Sequence, residues 1–183
     1  MRVISGTARG RRLKELPGMD TRPTTDKVKE SLFNIIQFDI EGRNVLDLFG
    51  GTGQLGIEAL SRGAARCTFV DLSRQAASVI RENLKTVGFD HVSTVHQADA
   101  AAFLAGCREK FDLIFLDPPY QSGLLERCIQ EITKFDILAE HGIMICESAV
   151  ETQLPESAAP YEKGREYRYG KIKLTVYRRQ GSF

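Results

Sequence analysis

The sequence lacks any apolar run long enough to cross a bilayer, and it contains no repeats or low-complexity tracts. Its first residues, MRVISGTARGRRL, also lack the apolar block of a secretory signal. These absences argue against a membrane-spanning protein and against a secreted one. We therefore expect a cytoplasmic protein with no membrane partner.

Cysteine and histidine are scarce, and neither is spaced for metal binding. The four cysteines, Cys67, Cys107, Cys128 and Cys146, form no C-x-x-C pair, and the three histidines show no ligand spacing. Free thiols in a reducing compartment are the expected state of the cysteines. The sequence thus predicts no metal site.

The chain has little net charge, +1 in total, but this charge is unevenly divided. Residues 1–14 hold five Lys or Arg and no acid, and residues 161–183 hold seven against two acids, so each end carries +5. The segment between them therefore carries −9. Basic ends around an acidic body indicate contact with a polyanion, and solvated basic tails are the alternative.

Apolar runs alternate with helical patterns along most of the chain. Residues 2–14 predict two short strands around a turn at 7–10, and a helix then begins after Pro23 and ends at Gly42. Further strands are predicted at 44–49, 67–72, 92–97, 111–117 and 142–148, helices at 54–63, 73–87, 99–106 and up to about 134, and a closing hairpin around Gly170. Strands that are apolar at nearly every position indicate a parallel sheet covered by helices on both faces.

These patterns predict an α/β fold in a single domain. At 183 residues and 42% hydrophobic, the chain can bury one core but not two. We expect an N-terminal basic hairpin-and-helix extension (1–42) and a Rossmann-like core (43–183). The core is expected to hold a mostly parallel seven-stranded sheet that ends in an antiparallel hairpin.

A glycine-rich turn follows the first strand of the alternation. In DLFGGTGQLG, Gly51, Gly53 and Gly56 match the pattern G-x-G-x-x-G, and Asp71 follows twenty residues after Gly51. This spacing is typical of dinucleotide-binding enzymes. A nicotinamide-dependent oxidoreductase is therefore one hypothesis.

Acids at the strand ends favour a different cofactor. Asp47, Asp71, Asp99 and Asp117 all come at or just past strand ends, which share one rim in an open parallel sheet. A carboxylate beside the loop would oppose a pyrophosphate, whereas S-adenosylmethionine has no phosphate and carries an ammonium and a sulfonium. Asp71 would accept from the ribose hydroxyls, and Asp99 would lie near the adenine. The predicted cofactor-binding residues are Asp47, Gly51, Gly53, Asp71, Leu72, Asp99 and Ala100.

The segment FDLIFLDPPY ends an apolar strand in Asp117, Pro118, Pro119 and Tyr120, which we predict to be catalytic. The lone pair of an exocyclic amino group is delocalised, and acceptors on its hydrogens restore the nucleophilicity of the nitrogen. The Asp117 carboxylate and the Pro118 carbonyl can accept these hydrogens, and proline fixes the direction of that carbonyl. Tyr120 can stack on an unstacked base. A strand stop followed by a turn is the alternative interpretation of these four residues.

Several segments together resemble the RsmD-type methyltransferases: RVISGTARGRRL, RPTTDKVKESLFNII, DLFGGTGQLGIEA, VDLSRQAASVIRENL and DPPY. The resemblance covers almost the whole chain, although the loop of the family more usually reads DLFAGSGALG. It implies a class I methyltransferase that uses S-adenosylmethionine to methylate N2 of one guanine in 16S ribosomal RNA. It also implies that Arg22 and Thr24, in the RPT element, lie near the mouth of the active site.

The basic ends are then expected to contact RNA phosphates, which give affinity but not sequence choice. The predicted RNA-binding residues are Arg9, Arg11, Arg12, Arg22, Thr24, Arg165, Arg168 and Lys171. The expected partner is small-subunit ribosomal RNA, either free or in a 30S particle or assembly intermediate, and a monomer is expected. Methylation of adenine N6, cytosine N4 or a protein glutamine remains an alternative, as does a non-catalytic RNA-binding protein.

Overall fold

The structure, a computed structural model, describes residues 1–18, 26–119 and 123–179. The helices are α1 (Asp26–Ile35), α2 (Gln54–Ser61), α3 (Arg74–Val87), α4 (Ala100–Gly106) and α5 (Leu124–Lys134). The strands are β1 (Asn44–Asp47), β2 (Arg66–Asp71), β3 (Ser93–Gln97), β4 (Phe111–Leu116), β5 (Leu138–Ala149), β6 (Ser157–Ala158), β7 (Tyr161–Tyr169) and β8 (Ile172–Arg179).

All strands belong to one sheet, in the order β3-β2-β1-β4-β5-β8-β7-β6. Strands β1 to β5 pair in parallel, and β8 pairs antiparallel with both β5 and β7. The predicted fold, a mostly parallel sheet closed by an antiparallel hairpin, is confirmed. The two-residue β6 adds an eighth strand at the edge.

Two apolar layers cover the two faces of the sheet, because successive strand residues point to opposite faces. Val45, Leu113 and Phe115 pack with α1, α2 and α3 on one face. Leu46 and Ile114 pack with α4 and α5 on the other. Asp47 has the same parity as Val45 and therefore points to the α2 face.

Helix ends follow the chemistry that the sequence predicts. Ser73 precedes α3, and its side chain accepts a hydrogen bond from the Ala76 N–H at 3.2 Å. Gly88 ends α3 with φ of 79°, a left-handed conformation that glycine adopts readily. Helix α3 therefore has the bounds expected from its capping residues.

Residues 1–14, called here the N-terminal arm, dock on α2 through hydrogen bonds to Glu58 and Ser61. The Glu58 carboxylate accepts from the N–H groups of Ile4 and Ser5, at 2.9 Å each. Glu58 is fully buried and also pairs with Lys29 at 3.1 Å and with Arg62 at 2.9 Å. Burial lowers the pKa of Lys29, although the Glu58 charge opposes this shift.

Four features differ from the predictions by more than one or two residues at an element's end. The arm contains one antiparallel bridge, Arg2 to Arg12, instead of two strands, because α2 satisfies part of its backbone. Helix α1 ends at Ile35 instead of Gly42, since a turn brings Ile40 back into the core. Strand β5 begins at Leu138, earlier than 142, and β6 was not predicted. Within the described ranges, no helix is long and apolar enough to span a membrane.

Candidate active site

A cleft of about 1590 Å³ opens at the carboxyl ends of the parallel strands. It lies where β1 pairs with β2 on one side and with β4 on the other, the point at which the strand order reverses. Ligands bind at such switch points in open α/β sheets. Nine of the predicted catalytic and cofactor-binding residues line this cleft: Asp47, Gly51, Asp71, Leu72, Asp99, Ala100, Asp117, Pro118 and Pro119.

The glycine turn leaves β1 and enters α2 by a tight, close-packed path. The Gly53 N–H donates to the Gly50 carbonyl at 2.7 Å, and Gly53 precedes α2 with φ of 84°. A Cβ on Gly56 would lie 2.3 Å from the Phe69 ring, so α2 packs directly on β2. Gly53 shapes the turn but does not line the cleft, whereas Gly51 lines it.

Asp47 is the most buried carboxylate of the cleft, with 2% of its surface exposed. Its Oδ2 accepts from the Gly56 N–H at 3.1 Å. Burial raises the pKa of Asp47 to about 7, the Asp71 charge adds to this shift, and the Gly56 hydrogen bond opposes it. A cation in the cleft would favour the ionised form of Asp47, because an opposite charge nearby stabilises a carboxylate.

Asp71 fixes the glycine turn as well as lining the cleft. Its Oδ2 accepts from the Gly51 N–H and its Oδ1 accepts from the Ser73 N–H, both at 2.9 Å. The sequence predicts contacts of Asp71 with ribose hydroxyls, whereas its hydrogen bond to the Gly51 N–H has no local sequence signature. Each carboxylate oxygen has two lone pairs, so these bonds leave acceptor capacity on both.

Asp99 both precedes a helix and lines the cleft. Its Oδ1 accepts from the Ala102 N–H at 3.0 Å, so Asp99 caps the N-terminus of α4. Nearby, the Leu72 side chain is 68% exposed and offers an apolar surface within the cleft. Acid and apolar groups together suit a ligand that has both polar and flat apolar parts.

Asp117 and Pro118 stand at the end of β4, directly beside the end of β1. Asp47 is paired with Phe115, two residues before Asp117, and the Leu48 N–H donates to the Phe115 carbonyl at 3.2 Å. Pro118 is buried and Pro119 is exposed. Tyr120 lies outside the described residues, as do Arg22 and Thr24.

Glu147 was missed by the sequence analysis, although it follows the same pattern as Asp47 and Asp117. It is an acid near the end of an apolar strand, β5, and only 6% of its surface is exposed. Glu147 and Asp117 line the same small cavity, together with Leu32 of α1. Glu147 therefore places a further acid near Asp117, although it does not line the cleft itself.

The predicted RNA-binding residues separate into two groups. In the arm, Arg12 lines the cleft. The Arg11 guanidinium donates to the Thr86 carbonyl. Arg9 is exposed and does not line the cleft. In the hairpin, Arg168 and Lys171 are exposed on either side of the turn at Gly170.

The hairpin turn lies at the same edge of the sheet as the cleft. The last residue of β5, Ala149, pairs with Ile172 just after the turn, and β5 is parallel to β4. Arg165 lies further from this edge, with its guanidinium 5.3 Å from the centroid of the Tyr167 ring. The residues of the hairpin do not line the cleft itself.

Asn83 of α3 joins the arm to the glycine turn, and no sequence pattern pointed to it. Its Nδ2 donates to the Thr52 carbonyl at 2.8 Å and to the Lys14 carbonyl at 3.1 Å. Its Oδ1 accepts from the Lys14 N–H at 2.7 Å, and 1% of its surface is exposed. One buried amide thus holds two segments that border the cleft.

The chemistry of the cleft fits a cationic ligand without phosphate. Three carboxylates, of Asp47, Asp71 and Asp99, border the glycine turn, and the Asp47 carboxyl loses a large part of its solvation there. In the described part of the chain, no cluster of three or more His, Cys, Asp or Glu could hold a metal ion. Strand order, glycine turn and acidic rim together define the architecture of a class I methyltransferase.

Comparison with known proteins agrees with this class. The family described as "Conserved hypothetical protein 95" matches residues 1–178. The chain is 44% identical to "Putative rRNA methyltransferase YlbH" of Bacillus subtilis, over 99% of this chain and 100% of that protein. It is 36% identical to "Ribosomal RNA small subunit methyltransferase D" of Escherichia coli, over 98% and 90% of the two chains.

A solved structure extends the agreement to the fold. "Putative methyltransferase yhhF from Escherichia coli" superposes with a TM-score of 0.89 at 35% identity, covering 98% of each chain. The chain therefore belongs to the RsmD-type methyltransferase family, as its motifs predict.

Proposed function

We propose that this protein transfers a methyl group from S-adenosylmethionine to the exocyclic N2 of a guanine in small-subunit (16S) ribosomal RNA. The observation that carries the proposal is the position of Asp117 and Pro118 in the same cleft as the acidic rim and the glycine turn. The names of the relatives support ribosomal RNA as the substrate. A single methyltransferase domain over residues 1–183 is part of this proposal.

The residues of the rim would hold the cofactor by charge and hydrogen bonding. Asp47 and the glycine turn would face its cationic methionine part, Asp71 would accept from the ribose, and Asp99, Leu72 and Ala100 would border the adenine. When bound, S-adenosylmethionine supplies the electrophilic methyl group. The buried Asp47 then favours this cation, since its carboxylate gains a partner that replaces lost solvation.

Asp117 and Pro118 would activate the amino group of the base. The Asp117 carboxylate accepts one amino hydrogen and the Pro118 carbonyl accepts the other, which restores the nitrogen lone pair. That pair would form the new N–C bond to the methyl group that the bound cofactor would supply, and the electrons of the broken S–C bond would remain on sulfur. The methylated nitrogen would be strongly acidic, so its excess proton would leave to Asp117 or to solvent without a general base of shifted pKa.

RNA would contact two basic segments that border the cleft, the N-terminal arm and the β7–β8 hairpin. The N-terminal arm supplies Arg9, Arg11 and Arg12, and the hairpin supplies Arg165, Arg168 and Lys171. Such phosphate contacts position the substrate, while the shape of the cleft admits one extruded base. Arg22 and Thr24 are proposed to stand near the same mouth.

The identity of the product tests the proposal. The protein is incubated with methyl-labelled S-adenosylmethionine and unmethylated small subunits, and the RNA is digested for nucleoside mass spectrometry. We expect one labelled nucleoside, N2-methylguanosine. N6-methyladenosine or N4-methylcytidine would support the other amino-group substrates, and binding of NADH without label uptake would support an oxidoreductase.

Substitutions at Asp117 and Asp71 separate catalysis from cofactor binding. Asp117→Ala should lower the rate of methyl transfer by at least about 10²-fold with nearly normal cofactor affinity, because it removes an acceptor at the reacting nitrogen. Asp71→Ala should instead weaken cofactor binding by about 10-fold or more, as loss of hydrogen bonds to a charged group does. Single-turnover rates and calorimetric titration measure the two effects.

Exposed Asp90, outside the cleft, serves as the matched control. Asp90→Ala removes the same charge and should change neither quantity. Near-normal turnover of Asp117→Ala would show that the catalytic assignment is wrong.

A further inference from the structure

Arg2 and Arg12 face each other across the bridge of the N-terminal arm. They are the two partners of its antiparallel bridge, so their side chains leave the backbone on the same face. Both residues are exposed, and both line the cleft. Two arginines on the same face of this bridge therefore border the site that contains Asp117.

Neither guanidinium forms an ion pair within the described residues. Six acids line the cleft; of the two that are nearest to the arm in sequence, Glu15 pairs with the Met1 amine at 2.9 Å and Asp26 interacts electrostatically with Lys29. Neighbouring cations of the arm are engaged, since Arg11 contacts the Thr86 carbonyl and Lys14 pairs with Glu82. Arg9 is exposed and has no such contact among the described residues, but it does not line the cleft, so the pair at 2 and 12 is distinguished by its position at the cleft as well as by the lack of an ion pair.

Like charges directly opposite each other across a strand pair are destabilising, and the described fold does not neutralise this pair. The arm is nevertheless held firmly, by Glu58 and by Ser61, whose Oγ accepts from the Ala8 N–H at 2.9 Å. The pair also stands close to the glycine turn, because the Thr52 hydroxyl donates to the Met1 sulfur at 3.3 Å. A bound anion between the two guanidiniums would remove the repulsion.

We infer that Arg2 and Arg12 form a clamp for one oxyanion at the wall of the cleft. Guanidinium groups bind phosphate and carboxylate oxygens through paired, charge-assisted hydrogen bonds. The inference rests on the proposed function, because that function brings two such groups to this cleft: an RNA phosphodiester and the α-carboxylate of the cofactor. The clamp is a specific site for one of them, in addition to the general attraction of the basic ends.

The test compares Arg2→Gln, Arg12→Gln and the double variant with Lys134→Gln, which removes one exposed positive charge from α5. Affinity for unmethylated small subunits is measured at 50 and 200 mM salt. Affinity for S-adenosylmethionine is measured beside that for 5′-methylthioadenosine, which lacks the carboxylate. Thermal unfolding of each variant confirms that the arm substitutions, on exposed side chains, leave the fold intact.

If Arg2 and Arg12 bind one ligand together, the double variant should lose less affinity than the product of the two single losses. Each single variant should lose about tenfold in affinity for one ligand, and the double variant should lose little more, since one missing partner already opens the clamp. Loss of affinity for the subunits, with a salt dependence reduced by about 0.9 in slope, identifies an RNA phosphate. Loss for S-adenosylmethionine but not for 5′-methylthioadenosine identifies the carboxylate.

Two outcomes would overturn the clamp: losses in the double variant that equal the product of the single losses, or losses no larger than that of Lys134→Gln. Methyl transfer by the unsubstituted protein is measured on the same subunits. Its absence would count against the proposed function, whereas the binding results decide the clamp independently.

Discussion

At the scale of single residues, the cleft holds a carboxyl group in an environment that suits the neutral form. Asp47 is buried at the end of a central strand, and the N–H of Gly56 is its hydrogen-bond donor. Because its pKa is raised to about 7, the Asp47 carboxyl is close to half protonated at neutral pH when no ligand is bound. Burial of this acid is a cost to the fold that a cationic ligand would offset.

Asp47→Asn should therefore stabilise the free protein at alkaline pH. A folded-state pKa raised above its unfolded value gives stability that is present below about pH 4 and is lost as the pH rises through 7. For a shift of this size the loss is at most about 4 kcal/mol. Asparagine keeps an acceptor for the Gly56 N–H but does not ionise.

The measurement is the free energy of unfolding in denaturant from pH 4 to 8. The two proteins should be similar at pH 4, and the variant should be the more stable at pH 8 while it binds S-adenosylmethionine more weakly. Parallel stability curves over this range would contradict the assigned pKa.

At the scale of elements, the N-terminal arm depends on close contact with the end of α2. Gly6 has φ of +85°, and a Cβ there would lie 1.9 Å from the Ser61 carbonyl oxygen. The Ser61 hydroxyl also donates to the Ser5 carbonyl at 2.6 Å. The arm can dock only if position 6 has no side chain.

Gly6→Ala should detach the arm, and Gly10→Ala provides a matched comparison. Gly10 has nearly the same φ, +81°, but nothing lies within 4 Å of its hypothetical Cβ. Gly10→Ala should cost about 1–2 kcal/mol from backbone strain alone. Gly6→Ala should cost clearly more, because it adds a clash with backbone.

Proteolysis of the arm and denaturant unfolding report the two effects. The arm of the Gly6→Ala protein should be cleaved faster than that of the Gly10→Ala protein. Equal cleavage rates and equal losses of stability would show that the contact with Ser61 does not hold the arm.

At the scale of the whole molecule, the sheet could be predicted because its strands are apolar runs. The helices between them are marked by capping residues, such as Ser73 and Gly88 at the two ends of α3. The rim could be predicted because parallel strands place Asp47 and Asp117 at one edge. Contacts between distant segments could not be predicted. The hydrogen bonds of the Asp71 carboxylate to backbone N–H groups and the contacts of Asn83 depend on packing that local patterns do not encode. The early start of β5 was also hidden, because the exposed polar residues Glu140 and His141 interrupt the apolar run between Leu138 and Ile143.

The fold brings the two basic ends of the chain to the borders of a cleft that contains acidic residues. Six acidic residues line the cleft, while Arg2 and Arg12 of the basic arm line it too and the basic turn of the hairpin lies at the same edge of the sheet. A cation and a polyanion can thus be attracted to adjacent places on a protein whose total charge is only +1.

The amide of Asn83 has a thermodynamic consequence, because it makes the docking of Lys14 and the conformation of Thr52 a single cooperative event. Any molecule that orders the arm should therefore raise the affinity of the glycine turn for its own ligand, and linkage requires the reverse effect to be equal, typically about 5- to 150-fold. Titration of S-adenosylmethionine with and without bound small subunits should reveal this reciprocity in the native protein, and Asn83→Ala should uncouple the two equilibria.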